Sequence, residues 1–259
     1  MQNKPSPKPT AKQDYILTLI YKFRFITTHT LANYRNQSDY TVAYRSLEKL
    51  KQYGYVLKRH NNYAKIDRKS AIYSLSKAGI SYVRKKFTLS ELALHAMYKN
   101  DRVTTSYAEL FVELIHILNR LKYSYINTFD IFTRVELADQ YYFPTPRPDL
   151  YLRRHDFTGR PSEFMLFKVD DVLLFMIKKK LKSWLTHYEE EGWDGDYPTI
   201  LLICATQSIE NRVRDYLLSL ELDDELRVLL TTKKAVLEGD TREIWTDYRT
   251  DQLFMDLNC

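Results

Sequence analysis

Apolar residues recur at helical spacing through the first third of the chain and give way to short strand-like runs further on. From Gln13, the positions Ile16, Leu17, Leu19, Ile20 and Phe23 make one stripe of helical period, which predicts a helix to about Arg24. Thr27 or Thr28 suits the cap of a short second helix through Leu31, Ala32 and Tyr34, and Asn36-Gln37 turns the chain into a third. Ser38 is the expected N-cap of that third helix, because its hydroxyl can accept an orphan N–H of the first turn. Ala43, Leu47 and Leu50 fall on its inner face, Tyr40, Thr41, Tyr44 and Arg45 on its outer one. Gly54 is placed to end it, since glycine takes the left-handed conformation most easily. Residues 55–59 then read as a strand, 60–62 as a turn and 71–75 as the returning strand, with a basic loop between. A closing helix runs from Ser76 to about Lys86. Helices followed by a basic hairpin describe a winged helix-turn-helix over residues 12–87.

Thr88 to Met97 and Ser106 to Leu121 are helical by pattern. In the second, Leu110, Phe111, Leu114, Ile117, Leu118 and Leu121 form a wide apolar face, so residues 88–121 read as helices linking two domains. From Tyr123 the texture becomes β-rich: 123–134, 149–153 and 164–169, then a helix 170–188, a strongly apolar strand 199–205, a helix 208–220 and a strand 227–231. That order predicts an α/β domain with a mixed sheet over residues 122–259, and an α+β class for the whole chain. The run TILLICA should be buried on both faces.

Charge sharpens this division. Residues 1–87 hold 18 Lys and Arg against 4 Asp and Glu, a balance of +14, whereas residues 88–259 hold 21 against 29, a balance of −8. A polyanion is therefore attracted to one end, the end that carries the helix-turn-helix pattern. In a winged helix the third helix enters the major groove and the hairpin reaches flanking backbone. Tyr40, Thr41, Tyr44 and Arg45 are then the residues facing bases, Lys49, Lys58, Arg59, Lys65, Arg68 and Lys69 the ones holding phosphates, and Ser38 at the head of the helix is counted with the DNA-binding set. Residues 1–11, with three prolines, Lys4 and Lys8, read as a flexible basic tail. Cys204 and Cys259 are the two cysteines and suggest neither a disulfide framework nor a zinc site. His95 and His116 have no partner at metal-ligand spacing. With no apolar run long enough to cross a bilayer and no apolar leader, the expected compartment is a cytoplasm.

Two resemblances extend the reading. Pro148-Asp149 in RPDLYL, followed by the strand FMLFKVDD, resembles the core of the PD-(D/E)XK nuclease superfamily, where a Pro-Asp on one strand and an acid-x-Lys on the next assemble a magnesium site. At those two positions this chain has Lys168 and Asp170, and Glu163 comes too early to substitute. Over more of its length, the chain looks like the replication-relaxation family. The resemblance is carried by the winged helix, the linking helix, Arg147-Pro148-Asp149, Val169-Asp170, Lys180-Leu181 with Trp184, and the strand and helix of residues 200–220. That family usually has Glu-x-Asp where this chain reads Lys168-Val169-Asp170.

The resemblance implies a double-stranded DNA-binding protein of a plasmid or other mobile element. Its expected roles are replication initiation, transfer-DNA processing or transcriptional control, as a homodimer and with a replication or relaxase partner. The nuclease-like domain is expected to lack activity and to need no cofactor; Trp184, Trp193 and Trp245 are candidates for a protein-contact surface, with aromatic core packing as the default reading for each. Two alternatives stand beside it. One is a magnesium-dependent nickase using Asp149 and Asp170 with Glu113 or Glu109 from the linking helix. The other is an adaptor whose winged helix docks on protein.

Overall fold

The computed structural model describes residues 7–59, 70–87, 89, 91–124, 129–155, 161–170, 173–190, 192–239, 244–250 and 253–254. The chain divides into two compact units, Met1–Asn119 and Arg120–Cys259.

In the first unit the apolar stripe forms α1 (Ala11–Phe23), with Ile16, Leu17 and Ile20 wholly buried. The helix starts earlier than its stripe suggests. Thr10 and Gln13 close a capping box, Pro9 is buried, and the Tyr55 hydroxyl donates to the Pro7 carbonyl at 3.3 Å. Ordered chain thus reaches into the stretch read as tail. After α1 come β1 (Ile26–Thr27), α2 (Thr28–Tyr34), α3 (Tyr40–Gln52), β2 (Val56–Arg59), β3 (Ile72–Leu75) and α4 (Lys77–Arg84). The three strands form an antiparallel sheet in the order β1-β3-β2. Ala43, Leu47 and Leu50 seal α3 against the core with no exposure.

The end of α3 is fixed by backbone geometry. Gly54 sits at φ +77°, its N–H bonds the Lys51 carbonyl at 2.9 Å, and the Tyr55 N–H reaches the Leu50 carbonyl at 3.0 Å. These two bonds satisfy carbonyls the helix would otherwise leave open. The same turn receives the next helix. Ser76, the N-cap of α4, donates its hydroxyl to the Gly54 carbonyl at 2.5 Å and its N–H to the Tyr55 carbonyl at 3.0 Å. Gly79, in the first turn of α4, lies so close that a Cβ there would be 2.1 Å from the Tyr55 oxygen.

Two more helices, α5 (Glu91–Tyr98) and α6 (Thr105–Ser124), follow. They are not free-standing links. Arg24, at φ +63° in a tight turn where the Phe25 N–H bonds the Phe23 carbonyl at 2.7 Å, is 7 % exposed and reaches into them. Its guanidinium donates to Asn100 Oδ1 at 2.7 and 3.1 Å, to the Ala96 carbonyl at 3.0 Å and to the Tyr107 hydroxyl at 3.0 Å. It also lies 4.8 Å from the centre of the Phe111 ring. Ala108 joins Phe25 and Ile72 in a small core. Within the apolar face expected of α6, Leu110 is an exception, being 44 % exposed.

The second unit is built on a seven-stranded mixed sheet ordered β10-β9-β8-β7-β6-β5-β4. Its strands are β4 (Phe129–Thr133), β5 (Leu150–His155), β6 (Pro161–Val169), β7 (Thr199–Cys204), β8 (Val228–Thr232), β9 (Trp245–Asp247) and β10 (Leu253–Phe254). β4, β5 and β6 form an antiparallel meander; β6, β7 and β8 are parallel, with α7 (Leu174–Glu189) and α8 (Gln207–Leu218) as their crossovers. A short helix α9 (Lys233–Glu238) leads from β8 towards β9. Ile177, Leu181 and Trp184 of α7 and Val213 and Leu217 of α8 pack with Met165, Phe167, Ile200, Leu202 and Leu230, on one face of the sheet. On the other face Leu150, Leu166, Leu201 and Leu229 are also buried, so β7 is apolar on both sides as its run suggests. Trp184 and Trp245 are core residues rather than surface ones, 3 % and 0 % exposed.

Among the described residues no helix is long and apolar enough to cross a membrane. Gly79→Ala should cost about 3 kcal/mol, the upper range for overpacking, because its methyl meets a backbone oxygen that cannot turn away. Gly54→Ala has open space and should lose only about 1 kcal/mol to its left-handed backbone. Urea unfolding of the two variants checks the difference.

Candidate nucleic-acid interface

The outer face of α3 is built by its own amphipathic pattern. With Ala43, Leu47 and Leu50 turned inward, Tyr40, Thr41, Val42, Tyr44, Arg45 and Lys49 are all exposed. Tyr40 is 41 % and Tyr44 47 % exposed. Tyr40 is braced on α2: its hydroxyl donates to Asn33 Oδ1 at 3.3 Å and its ring lies 4.3 Å from that of His29. Ser38 is exposed as well, but it is not the cap. Asp39 holds that role, its Oδ1 accepting the Thr41 N–H at 2.7 Å. The hydrogen bonds from Thr41, ahead of the nearby Arg45 charge, keep the Asp39 carboxyl below its ordinary range. A carboxylate one residue outside the helix is as good a cap as a hydroxyl, and it is favoured by the helix dipole.

Of the cations expected to hold phosphates, Lys49 projects outward. Lys58 does not. Its side chain is 10 % exposed and its ammonium lies 2.6 Å from Glu48 Oε1, between the rings of Tyr44 and Tyr73. Strand β2 turns it under α3, where Glu48 is the nearest anion. Arg59 is also engaged within the fold. Its Nη2 donates to the carbonyls of Asn100 at 2.8 Å and Asp101 at 3.1 Å, and its Nη1 to that of Val103. These bonds fasten β2 to the connection between α5 and α6, so Arg59 serves the fold. Lys65, Arg68 and Lys69 lie outside the described residues.

Glu48 is the residue that sequence periodicity passes over. Besides Lys58 it accepts the Tyr73 hydroxyl at 2.8 Å, and Tyr73 is wholly buried. Burial alone would raise the Glu48 carboxyl, but the hydrogen bonds from Lys58 and Tyr73 and the charges of Lys58 and Lys51 outweigh it and hold the group low. Burial and the same carboxylate push the Tyr73 phenol up. A charged residue one place after Leu47 signals only a solvated flank, until the hairpin is folded beneath it.

In the second unit, Asp149 stands just before β5 and Lys168-Val169-Asp170 at the end of β6. One Asp149 oxygen accepts the Lys168 backbone N–H at 2.8 Å, and the other lies 2.9 Å from Arg134 Nη2. The Lys168 ammonium, on a side chain 7 % exposed, lies 3.1 Å from Asp170 Oδ2. Glu163 pairs with Arg153 at 3.0 Å. Glu109 and Glu113 belong to α6 in the first unit, where the Glu113 charge acts on His116. Burial, assisted by His29, nevertheless lowers the His116 imidazole.

The residues beside Asp149 do not fit a magnesium ion, which needs carboxylate oxygens facing open water and phosphate. Both Asp149 oxygens already have donors, and the position of the motif's second carboxylate carries a cation, Lys168. Among the described residues no group of three or more His, Cys, Asp or Glu is placed to hold a metal. Nearby Cys204 is fully buried, and burial, with the charges of Glu210 and Asp170, pushes its thiol up to about 12, far from a reactive thiolate.

Comparisons with family models, with curated proteins and with solved structures found no match. The candidate interface of the first unit therefore rests on its own geometry, a cation-bearing aromatic face on α3; the second unit, taken by itself, has at Asp149 an ionic clamp and, among the described residues, no metal-ligand set.

Because the Glu48 carboxyl is lower in the folded chain than in the unfolded one, its contribution is complete above the ordinary carboxylate value of 4.5 and is lost as pH falls through the folded value. Glu48→Gln should lose about 2 kcal/mol at neutral pH, where it leaves Lys58 without its counter-charge. The gap between wild type and variant in urea midpoint should close as the solution is acidified below pH 4.5.

Proposed function

We propose that the chain binds double-stranded DNA through the first unit, acting as a winged helix with α3 in the major groove. The order α1-β1-α2-α3-β2-β3, with its β1-β3-β2 sheet, supports this reading. The observation that carries it is the outward face of α3. Arg45, Thr41 and Tyr44 are exposed there together, on the part of the chain whose charge balance is +14 from 18 basic and 4 acidic residues. Guanidinium and hydroxyl groups read base edges, and the basic surroundings supply the salt-dependent backbone term.

Together with the resemblance to the replication-relaxation family, the reading places the protein on a plasmid or other mobile element, in a cytoplasm. Site selection for replication initiation, transfer or transcriptional control is its role. A homodimer suits it, because one recognition helix covers a single half-site. The second unit, nuclease-like in its Pro148-Asp149 strand but closed by the Arg134 and Lys168 contacts, then serves a replication or relaxase partner rather than cutting DNA.

The same face favours a second reading. Val42, 43 % exposed, and Tyr44 would also suit a protein partner, making the unit an adaptor.

Fluorescence anisotropy on duplexes selected by the protein separates the two. Arg45→Ala should reduce discrimination between selected and random duplex by about 1–3 kcal/mol. Lys49→Ala should weaken both duplexes alike and lower the slope of log K against log salt by about one. Binding with no salt slope overturns the DNA reading and leaves the adaptor.

A further inference from the structure

At the end of the sheet away from Asp149, where the central strand β7 begins, the second unit has an open pocket of about 550 Å³ lined by Tyr188, Trp193, Gly195, Asp196, Tyr197 and Glu225. Among the described residues its lining is three aromatic rings, two carboxylates and a glycine, with no basic and no aliphatic side chain. We propose that this pocket is a binding site for an alkylated ammonium group, an aromatic cage closed by carboxylates.

The rings are set as walls rather than as a stack. Tyr188 meets Tyr197 at 83° with centres 5.1 Å apart, and Trp193 meets Tyr197 at 67° and 6.3 Å. Ring faces carry partial negative charge, so walls at steep angles around one space attract a cation from more than one side. Trp193 is held from behind, its ring centre 5.2 Å from Phe143 and 5.4 Å from Tyr142.

Tyr197 is fixed by a relay. His187 Nε2 lies 3.0 Å from the Tyr142 carbonyl, which can only accept, so that nitrogen carries the proton. In the neutral ring Nδ1 is then an acceptor, and the Tyr197 hydroxyl, 2.9 Å away, donates to it. Burial lowers the His187 imidazole, in keeping with the neutral form. A phenol that donates its proton has a more electron-rich ring, which strengthens its hold on a cation.

The lining also excludes other ligands. Asp196 and Glu225 are exposed and repel an anion, whereas an uncharged aliphatic ligand finds no aliphatic wall among the described lining residues. Arg249, whose charge reaches Tyr188, is already engaged by the segment before Glu225. Its Nη2 donates to the carbonyls of Leu222, at 3.3 Å, and Asp223, and its Nε lies 3.7 Å from Asp224 Oδ1. The volume falls in the range of small-ligand sites and exceeds the needs of a bare ammonium, leaving room for the chain that bears it. A free quaternary ammonium and the head of a methylated lysine share this chemistry.

The test uses the whole chain at constant ionic strength, replacing sodium chloride by choline chloride and following tryptophan emission. Choline should produce a saturable change, and its uncharged isostere 3,3-dimethylbutan-1-ol should bind at least about tenfold more weakly, the difference expected for a desolvated cation over aromatic faces. Asp196→Asn with Glu225→Gln, both exposed, should weaken choline several-fold while leaving the emission of the free protein unchanged. Trp193→Phe should remove most of the signal change. A peptide carrying trimethyl-lysine tighter than choline assigns the site to a protein ligand, and the reverse order assigns it to a small molecule. Equal binding of choline and its isostere, or no saturable change, overturns the proposal.

Discussion

A carboxylate under a helix decides how the first unit presents itself. Glu48 collects the Lys58 ammonium from β2 and the Tyr73 hydroxyl from β3, so α3 is bonded to two strands from its inner flank. The apolar contacts of Ala43, Leu47 and Leu50 would tolerate small rotations of the helix, since dispersion is weakly directional. Directional bonds to a partly buried carboxylate tolerate them poorly. The rotation fixed in this way keeps Tyr44, Arg45 and Lys49 outside. At the far end of the helix the Gly54 turn and the Ser76 cap share one carbonyl, so the hairpin and α4 are registered against the same point.

The second unit uses charge differently. Around Asp149 two cations and two carboxylates are interleaved: Arg134 on Asp149, and Lys168 on Asp170. The first pair joins the segment after β4 to the start of β5, and the second closes the end of β6 on itself. The loop before β5 is drawn onto β6 by the Lys168 N–H, as well as by the Asp149 N–H on the Leu166 carbonyl at 2.9 Å. A lysine 7 % exposed has lost most of its hydration, so its nearest anion becomes a structural necessity. The position that could have supplied a second metal carboxylate supplies a clamp in its place.

Much of this architecture is legible in the sequence, for a physical reason. The apolar pattern reports burial, as a period where an element buries one face, Ile16 to Phe23 for α1 and Ala43 to Leu50 for α3, and as an unbroken run where both faces are buried, Thr199 to Cys204 for β7. Gly54 was legible because few other residues adopt its conformation. What escaped was decided by distant partners. β1, two residues long, exists because Ile26 and Thr27 pair with Tyr73 and Ile72, and no window that short carries a period. Arg24 sits where an exposed end-of-helix cation is expected, and partners far along the chain, Ala96, Asn100, Tyr107 and Phe111, make it internal. Lys58 and Arg59 look alike as basic strand residues, yet alternation along β2 sends them to Glu48 and to the carbonyls beyond α5. Charge in a sequence predicts attraction; which anion answers is settled by the fold.

The sheet of the second unit joins two kinds of neighbour. Five residues separate β5 from β6, whereas 29 separate β6 from its other partner, β7. Closing the longer connection costs about 1.6 kcal/mol more chain entropy by the logarithmic law. The β4-β5-β6 meander is therefore the half that can assemble early, offering the edge of β6 as a template to which β7 and then β8 are added. During synthesis that edge is complete before β7 has left the ribosome, and its apolar Met165 and Phe167 must wait for α7 to cover them.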